Sequence, residues 1–392
     1  MMLAATVTCA QAAGQTWDAV VVGGGPSGAL AARELARRDA SVLLVDRAVF
    51  PRYKVCGCCL NASALGTLAA VGLGELPAAC GGRPIHELCL AAGGRLASIP
   101  LRQGIALSRE RFDAALITQA IQAGAAFLPR THAALQPDHG VRRRILLRQD
   151  SQQVTIMARV VLAADGLAGT VLQDEPGVAA RVARHSRIGV GAVADTIPRG
   201  YRSGTIVMAC GRGGYVGLVQ REDGRLNVAA ALDPSLVRDT GGPGAAVASL
   251  IAQAGLPDAK DFAALEWRGT PALTRRRSSL AAHRVFALGD AAGYVEPFTG
   301  EGIAWALASG AAVTPLTLTA IRYWSPSLAI QWTRRYRQLI GHRQRLCWLL
   351  AQLLRQPHVT QAAIGVLSRM PWCAVPLVRV VNAPLSGAWR ES

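Results

Sequence analysis

Hydrophobic and polar positions set the outline of this chain. Residues 17–22 (WDAVVV) form a short apolar run that stops at Gly23, and GGGPSG follows. The next segment, ALAARELARRD, repeats its apolar positions at helical spacing, and 41–45 (SVLLV) is again a short apolar run, closed by Asp46. Strand, glycine turn, helix, strand: the pattern predicts one right-handed β-α-β unit. Residues 47–60 read as a loop, with a short helix from about Asn61. From about 82 to 100 the pattern becomes strand-like, and a helix is predicted over Glu110–Ala123. The segment GAAFLPR resumes extended structure, and RRRILLRQ and QQVTIMARVVLAAD predict two strands leading to Asp165-Gly166. Residues 187–232 alternate β-rich runs with glycine turns, as an antiparallel sheet with one buried face requires. A helix is predicted around 244–255, before EWRGTPAL. Near residue 285 strand-then-glycine chemistry returns, in VFALGDAAGYVEPFTGEGIAWALASGAA, and a long helix ends that stretch.

Three glycine-acid motifs carry chemistry. In Gly23-Gly24-Gly25-Pro26-Ser27-Gly28 the first glycine permits a tight turn, the second lets backbone amides approach a pyrophosphate, and the third lets helix and strand pack closely. The following helix N-terminus offers oriented N–H groups and partial positive charge. Asp46, at the end of the second strand, can accept hydrogen bonds from ribose hydroxyls. The second motif, Ala287-Leu288-Gly289-Asp290-Ala291-Ala292-Gly293, follows a buried strand and is trailed by Pro297, Gly300 and Gly302. Its carboxylate can hold a ribityl hydroxyl, and a helix starting near Glu301 can aim its amides at a flavin and stabilise the anionic reduced form. A dehydrogenase using NAD alone has no use for this second site. The third motif, Leu162-Ala163-Ala164-Asp165-Gly166, is again a strand ending in Asp-Gly and is weak by itself.

In this order the motifs resemble the FAD-dependent hydroxylase and geranylgeranyl reductase superfamily across most of residues 17–320. GDAAGYVEPFTGEGI, and PRYKVCG followed by SRERFDAAL, carry the resemblance, and PRYKVCG is most similar to the geranylgeranyl reductase branch. The resemblance implies an α/β protein with a Rossmann-type FAD-binding domain, an inserted and mainly antiparallel substrate-binding sheet, and a C-terminal helical segment. The expected FAD-binding domain is discontinuous, over 17–80, 105–186 and 281–325. The substrate domain covers 81–104 and 187–280, and the helical region 326–392. By position, Gly23, Gly25, Pro26, Ser27, Gly28, Asp46 and Arg47 would hold the ADP half of FAD. Arg109 would reach the cofactor from its helix start, with Asp165 in the strand-end signature. Gly289 and Asp290 would serve the ribityl and pyrophosphate region. Pro297, Gly300, Glu301, Gly302 and Ile303 would border the isoalloxazine, with Cys56 and Gly57 close to it. Where the branch carries an aromatic and a proline on its substrate side, this chain has Gly217 and Gln220.

Composition narrows the function. Hydrophobic residues make up 51% and mean hydropathy is +0.25, yet no run reaches the roughly eighteen consecutive apolar residues of a membrane span. The first sixteen residues lack a basic start and a long apolar core, so an unstructured extension is expected there rather than a signal peptide. Lys+Arg of 42 against Asp+Glu of 25 gives +17, and only Lys54 and Lys260 are lysines. No nucleic-acid recognition module accompanies that charge. WTRRYRQLIGHRQRLCWLLAQLLRQP reads as an amphipathic helix that either lies on an anionic membrane surface or packs on its own domain with solvated arginines. The expected setting is the cytoplasm, with peripheral membrane contact through these basic C-terminal helices. Nine cysteines are scattered, and only Cys56, Cys58 and Cys59 cluster. That cluster is a redox-active thiol beside the flavin or a set of small residues shaping the pocket. No second pair completes a metal site.

The leading expectation is reduction of carbon–carbon double bonds on a prenyl, polyene or polyketide-like substrate, with Cys56 as the candidate catalytic residue. A monooxygenase working through a flavin hydroperoxide uses the same fold. A non-catalytic or quinone-linked electron-transfer flavoprotein is a third class. Halogenation needs a dedicated lysine, and none occurs between Lys54 and Lys260. Because GGPGAA at 241–246 lacks a preceding buried strand, no second nucleotide fold is expected. NAD(P)H would then visit transiently, or a reduced carrier protein would supply electrons. Glu296 and Glu301 are candidate proton donors, and His185 and His283 read as structural or exposed.

Overall fold

The computed structural model describes residues 2–137, 140–257, 260–296 and 298–385. Five parallel strands form the centre of one sheet, in the order Val285–Ala287, Gln152–Ala163, Thr16–Val22, Val42–Val45, Ala126–Leu128. These strands are short continuous apolar runs because both faces are covered, and Val20, Val21, Leu43, Leu44, Val161 and Leu162 are fully buried. One face receives the glycine-loop helix Pro26–Ala36 and the long helix Gly302–Arg322. These two helices approach so closely that a Cβ on Gly310 would lie 2.4 Å from the Ser27 carbonyl oxygen.

A second, seven-stranded sheet combines 188–194, 205–211, 214–220, 226–232 and 268–272 with Glu87–Ala92 and Arg95–Pro100. Pairing is antiparallel except where Thr205–Gly211 runs parallel to Glu87–Ala92. Helix Pro243–Ala254 covers one face through Val247, Leu250 and Ile251. The expected helix over Glu110–Ala123 is Arg109–Gln122, started by the Ser108 side chain, which accepts from the Arg111 N–H.

One expectation is corrected, and for the basic helix one of the two readings left open holds. The N-terminal segment is not an unstructured extension. Leu3 N–H donates to Phe50 O (2.9 Å), Thr6 N–H to Phe127 O (2.9 Å), and Cys9–Ala13 is a helix with Cys9 and Ala12 buried. Thr8 and Gln11 close a reciprocal capping box, a Thr-x-x-Gln spacing visible in the sequence. The basic helix Pro326–Leu353 does not present its apolar face outward. Leu328, Trp332, Tyr336, Leu339, Ile340 and Cys347 recur at helical spacing and are buried against the first core. Trp332 Nε1–H donates to Ala287 O at 2.9 Å. One helix among the described residues, Gly302–Arg322, is long and apolar enough to cross a membrane, but 83% of that window is buried inside the protein.

Candidate flavin and substrate cavity

Four of the five parallel strands deliver a functional segment at the carboxyl end, the position at which open α/β sheets bind ligands. Val22 leads to the glycine loop, Val45 to Asp46, Ala163 to Asp165-Gly166, and Ala287 to Gly289-Asp290. A cavity of about 660 Å³ starts among them and runs beneath the second sheet.

The glycines act in two ways. Gly23 has φ +113°, and a Cβ there would sit 2.3 Å from Ala164 O; a Cβ on Gly28 would sit 1.9 Å from Gly23 O. A Cβ on Gly289 would likewise sit 2.6 Å from Ser27 Oγ, and the Gly289 N–H donates to Ser309 Oγ at 3.0 Å. Gly28 and Gly289 therefore let the helices pack and do not line the cavity, whereas Gly23, Gly25, Pro26 and Ser27 do. A Cβ on Gly25 would face only Arg109 Nη2 (3.7 Å) and Arg52 Nη2 (4.0 Å). Gly25 is also the N-cap of the glycine-loop helix and has no side-chain cap, which leaves amides for an anion.

Asp46 braces the loop: Gly24 N–H donates to Oδ2 and Ala48 N–H to Oδ1, each at 2.7 Å. Each oxygen keeps a free lone pair for a ribose hydroxyl. Arg109 is held by a bidentate pair to Asp113 (2.8 and 2.8 Å), and Arg52 joins Asp113 at 3.3 Å. Burial works against the Arg109 charge, but Asp113 outweighs it and the guanidinium stays charged. The Arg52 Nη1 is buried with no protein partner. Two guanidinium groups beside uncapped amides, one with a spare donor, fit a pyrophosphate. Asp165 accepts from Val171 N–H at 2.9 Å, and burial raises its carboxyl. Burial also raises Asp290, opposed by Lys54 and then Arg109. Arg47, Gly57, Gly300, Gly302 and Ile303 line the cavity; added Cβ atoms at Gly57 and Gly300 would meet nothing within 4 Å. The arrangement fits FAD laid along the strand ends. Pro297 lies outside the described residues.

Glu301 and Glu296 are not cavity residues. Each is 1% exposed and locked to a buried arginine: Arg343 Nη1 donates to Glu301 Oε1 (3.2 Å) and Arg187 Nη1 to Glu296 Oε1 (2.8 Å). The first pair ties the basic helix to the start of the long helix. The second ties the second sheet, at the start of strand 188–194, to the loop after Tyr294, so neither carboxyl faces the cavity as a proton donor. Gly217 faces the cavity, but Gln220 turns away and donates to Gly224 O at 3.0 Å.

Cys56 does face the cavity, half-buried. Its thiol is drawn down to about 6, chiefly by hydrogen bonding from Cys58 and then by the Arg109 charge, against the opposing effect of burial. Cys58 N–H donates to Cys56 Sγ at 3.4 Å; the Cys58 S–H also reaches Asn227 Oδ1 (3.3 Å) and can serve one acceptor at a time. Asn227 Nδ2–H fixes the loop through Cys56 O at 2.9 Å. Cys58 is pushed up, first by its hydrogen bond to Cys56 and then by burial, and burial also raises Cys59. Iodoacetamide labelling followed by peptide mass spectrometry should therefore modify Cys56 with a midpoint at about pH 6, against about 8.5 for an ordinary thiol. Arg109→Gln should move the midpoint upward, and Cys58 should remain unlabelled at neutral pH.

Among the lining groups that sequence reasoning missed are Arg52, Lys54 and Tyr294. Burial, then Arg109 and Arg52, lower the Lys54 ammonium, with Asp290 as its opposing partner. Lys54 and Arg52 alternate along PRYKVCG, a period that could have pointed both to one side.

A family profile described as "FAD binding domain" matches residues 16–313. The chain belongs to the FAD-binding family. Relatives include geranylgeranyl reductases, and the matches to the first curated relatives span less than half of their length. It is 30% identical to the geranylgeranyl diphosphate reductase of Rhodobacter capsulatus over 173 residues, 41% of this chain and 40% of that protein. It is 48% identical to the menaquinone reductase of Mycobacterium tuberculosis over 58 residues, only 15% of this chain and 14% of that one. The digeranylgeranylglycerophospholipid reductase of Thermoplasma acidophilum is 25% identical over 84% of each chain. Solved structures agree in fold. A flavoprotein/dehydrogenase from Cytophaga hutchinsonii superposes with a TM-score of 0.76 at 18% identity, covering 94% of this chain and 96% of its own. The flavin-dependent brominase Bmp2 gives 0.77 at 15% identity, covering 95% and 96%. PqsL of Pseudomonas aeruginosa, a probable FAD-dependent monooxygenase, gives 0.69 at 18%, covering 90% and 100%. Identities this low carry the fold and not the reaction.

Proposed function

We propose that this protein is an oxidoreductase that reduces carbon–carbon double bonds on a long aliphatic chain of the prenyl type. The observation that carries the reading is the division of its cavity. Charged lining residues all come from Asp46–Lys54, Arg109, Asp165 and Asp290. The second sheet contributes Leu88, Leu90, Ile206, Met208 and Leu218, and the C-terminal helices roof it with Leu350, Leu367, Leu377, Val378 and Val381. Among the described lining residues neither part contributes a charge. Such a chamber, whose polar lining from these two parts is confined to Tyr215, Thr270 and Asn382, suits a chain that is almost wholly aliphatic. The names of the curated relatives, two of them geranylgeranyl lipids and the third menaquinone, support the same class.

FAD, reduced by NAD(P)H or by a reduced carrier protein, would supply a hydride. The chain's part is to seat the alkene, exclude water and handle the matching proton. Cys56 is assigned to relay that proton, at the junction of the charged and apolar halves with Arg109 beside it. Its thiol, drawn down to about 6, is mostly ionised at neutral pH and would take up a proton from solvent at each turnover. Hydride and proton together saturate one double bond, and the flavin is oxidised by two electrons.

The test is anaerobic incubation of the reduced protein with geranylgeranyl diphosphate, menaquinone and a digeranylgeranyl glycerophospholipid, read by mass spectrometry. Addition of two hydrogens per double bond to at least one supports the reading, and unchanged lipid with all three contradicts it. Gly217→Phe offers a second check. Its Cβ would stand 3.1 Å from Met208 Sδ and the ring would project into the chamber. Flavin content should be unchanged while turnover of a prenyl chain falls at least tenfold.

A further inference from the structure

Large apolar side chains are exposed in one part of the surface far more than elsewhere. Of the sixteen exposed among the described residues, nine lie between Trp348 and Val380. They sit on the end of the basic helix, on helix Pro357–Arg369, and on the turn and helix that follow, Pro371–Ala374 and Val375–Asn382. On helix Pro357–Arg369 the outward residues Val359, Ala362, Val366 and Met370 recur every three or four positions, while Thr360, Ile364 and Gly365 are buried beneath. Trp372, 63% exposed, stands at the turn, and Val375 and Val380 continue beyond it.

The charge along these helices has one sign. Arg345, Arg369 and Arg379 are exposed on them, and the sequence contains no acidic residue between Glu301 and Glu391. The inner faces of the same helices supply Leu367, Leu377 and Val378 to the roof of the aliphatic chamber. One thin layer therefore separates the chamber from the exposed apolar surface.

We propose that this face docks on an anionic phospholipid bilayer, with the Pro371–Ala374 turn dipping between headgroups and Arg369 and Arg379 against phosphates. A tryptophan at the most exposed point and arginines at the rim match the interfacial layer of a membrane. Self-association through the face would bring arginine against arginine with no carboxylate on these helices to offset them. The two helices meet at 118°, and Ile364, Ala374 and Val381 are buried on the protein side, so the pair lies along the interface and does not cross it. This differs from the sequence expectation in location: the basic helix packs inward, and the helices after it carry the contact.

The test is flotation of the FAD-loaded full chain with vesicles of phosphatidylcholine, with and without phosphatidylglycerol. The chain should float with the anionic vesicles and be released by high salt. Met370→Ser with Trp372→Ser should lower partitioning at least tenfold, and Arg369→Gln with Arg379→Gln roughly tenfold at low salt, with flavin absorbance unchanged in both. Wild-type chain that stays with the solvent, or both variants floating undiminished, overturns the proposal. So does light scattering that shows a wild-type dimer converted to monomer by the Trp372 variant. No turnover enters these readouts, so they stand apart from the assigned reaction.

Discussion

Gly28→Ala will cost this protein its flavin. The added Cβ would lie 1.9 Å from Gly23 O and 3.0 Å from the Ala164 side chain, and the first of these is backbone that cannot rotate away. Overpacking of this kind costs about 1–3 kcal/mol, and a backbone collision belongs at the upper end, roughly a hundredfold in affinity if the glycine loop shifts. Gly23 and Gly25 move with it, because Asp46 holds Gly24 to the second strand. Purified Gly28→Ala should carry little FAD by visible absorbance. Gly66→Ala is the control. It lies mid-helix with nothing within 4 Å of the new Cβ, and should keep its flavin and gain about 0.5–1 kcal/mol of stability.

The second large effect concerns the Arg343–Glu301 pair. Arg343 is 2% exposed in the middle of a helix, and donates to Glu301 Oε1 (3.2 Å), Ser63 Oγ (3.3 Å) and Val381 O (3.2 Å). It joins the helix after Asn61, the loop before the long helix and the C-terminal roof. Arg343→Met leaves the Glu301 carboxylate buried without its cation and should destabilise the fold by about 3–5 kcal/mol. Burial and not Arg343 dominates the raised Glu301 carboxyl, so protonation offers partial relief and the loss should shrink as pH falls. Arg343→Met with Glu301→Gln should recover most of the stability, measured as the unfolding midpoint with FAD present. If the single variant matches wild type, the pair contributes nothing.

These two sites also show what the sequence could disclose. Gly23–Gly28, Asp46 and Asp290 were legible because strand, turn and helix are contiguous there, and a local pattern fixes a local geometry. The Arg343–Glu301 contact spans two helices, and no periodicity announces a partner so distant; Glu301 therefore read as a proton donor. The resemblance already placed 81–104 with the second sheet, but the parallel pairing of Glu87–Ala92 with Thr205–Gly211 is encoded by no turn signal. The N-terminal helix has a local signal in its Thr-x-x-Gln spacing, but its small-residue composition carries no helical periodicity. For the basic helix, amphipathicity was correctly seen, but a helical moment does not say whether the apolar stripe meets lipid or the protein's own core.

The reductase reading turns on where the flavin's electrons go. The most direct measurement mixes reduced protein with a prenyl lipid that it binds, divided between strict anaerobiosis and heavy-oxygen gas. Hydrogenated lipid without oxygen, and no heavy-oxygen label in the lipid under the gas, is the result predicted here. Heavy oxygen incorporated into the lipid, with no hydrogenation under anaerobiosis, would make the protein a hydroxylase and contradict the account.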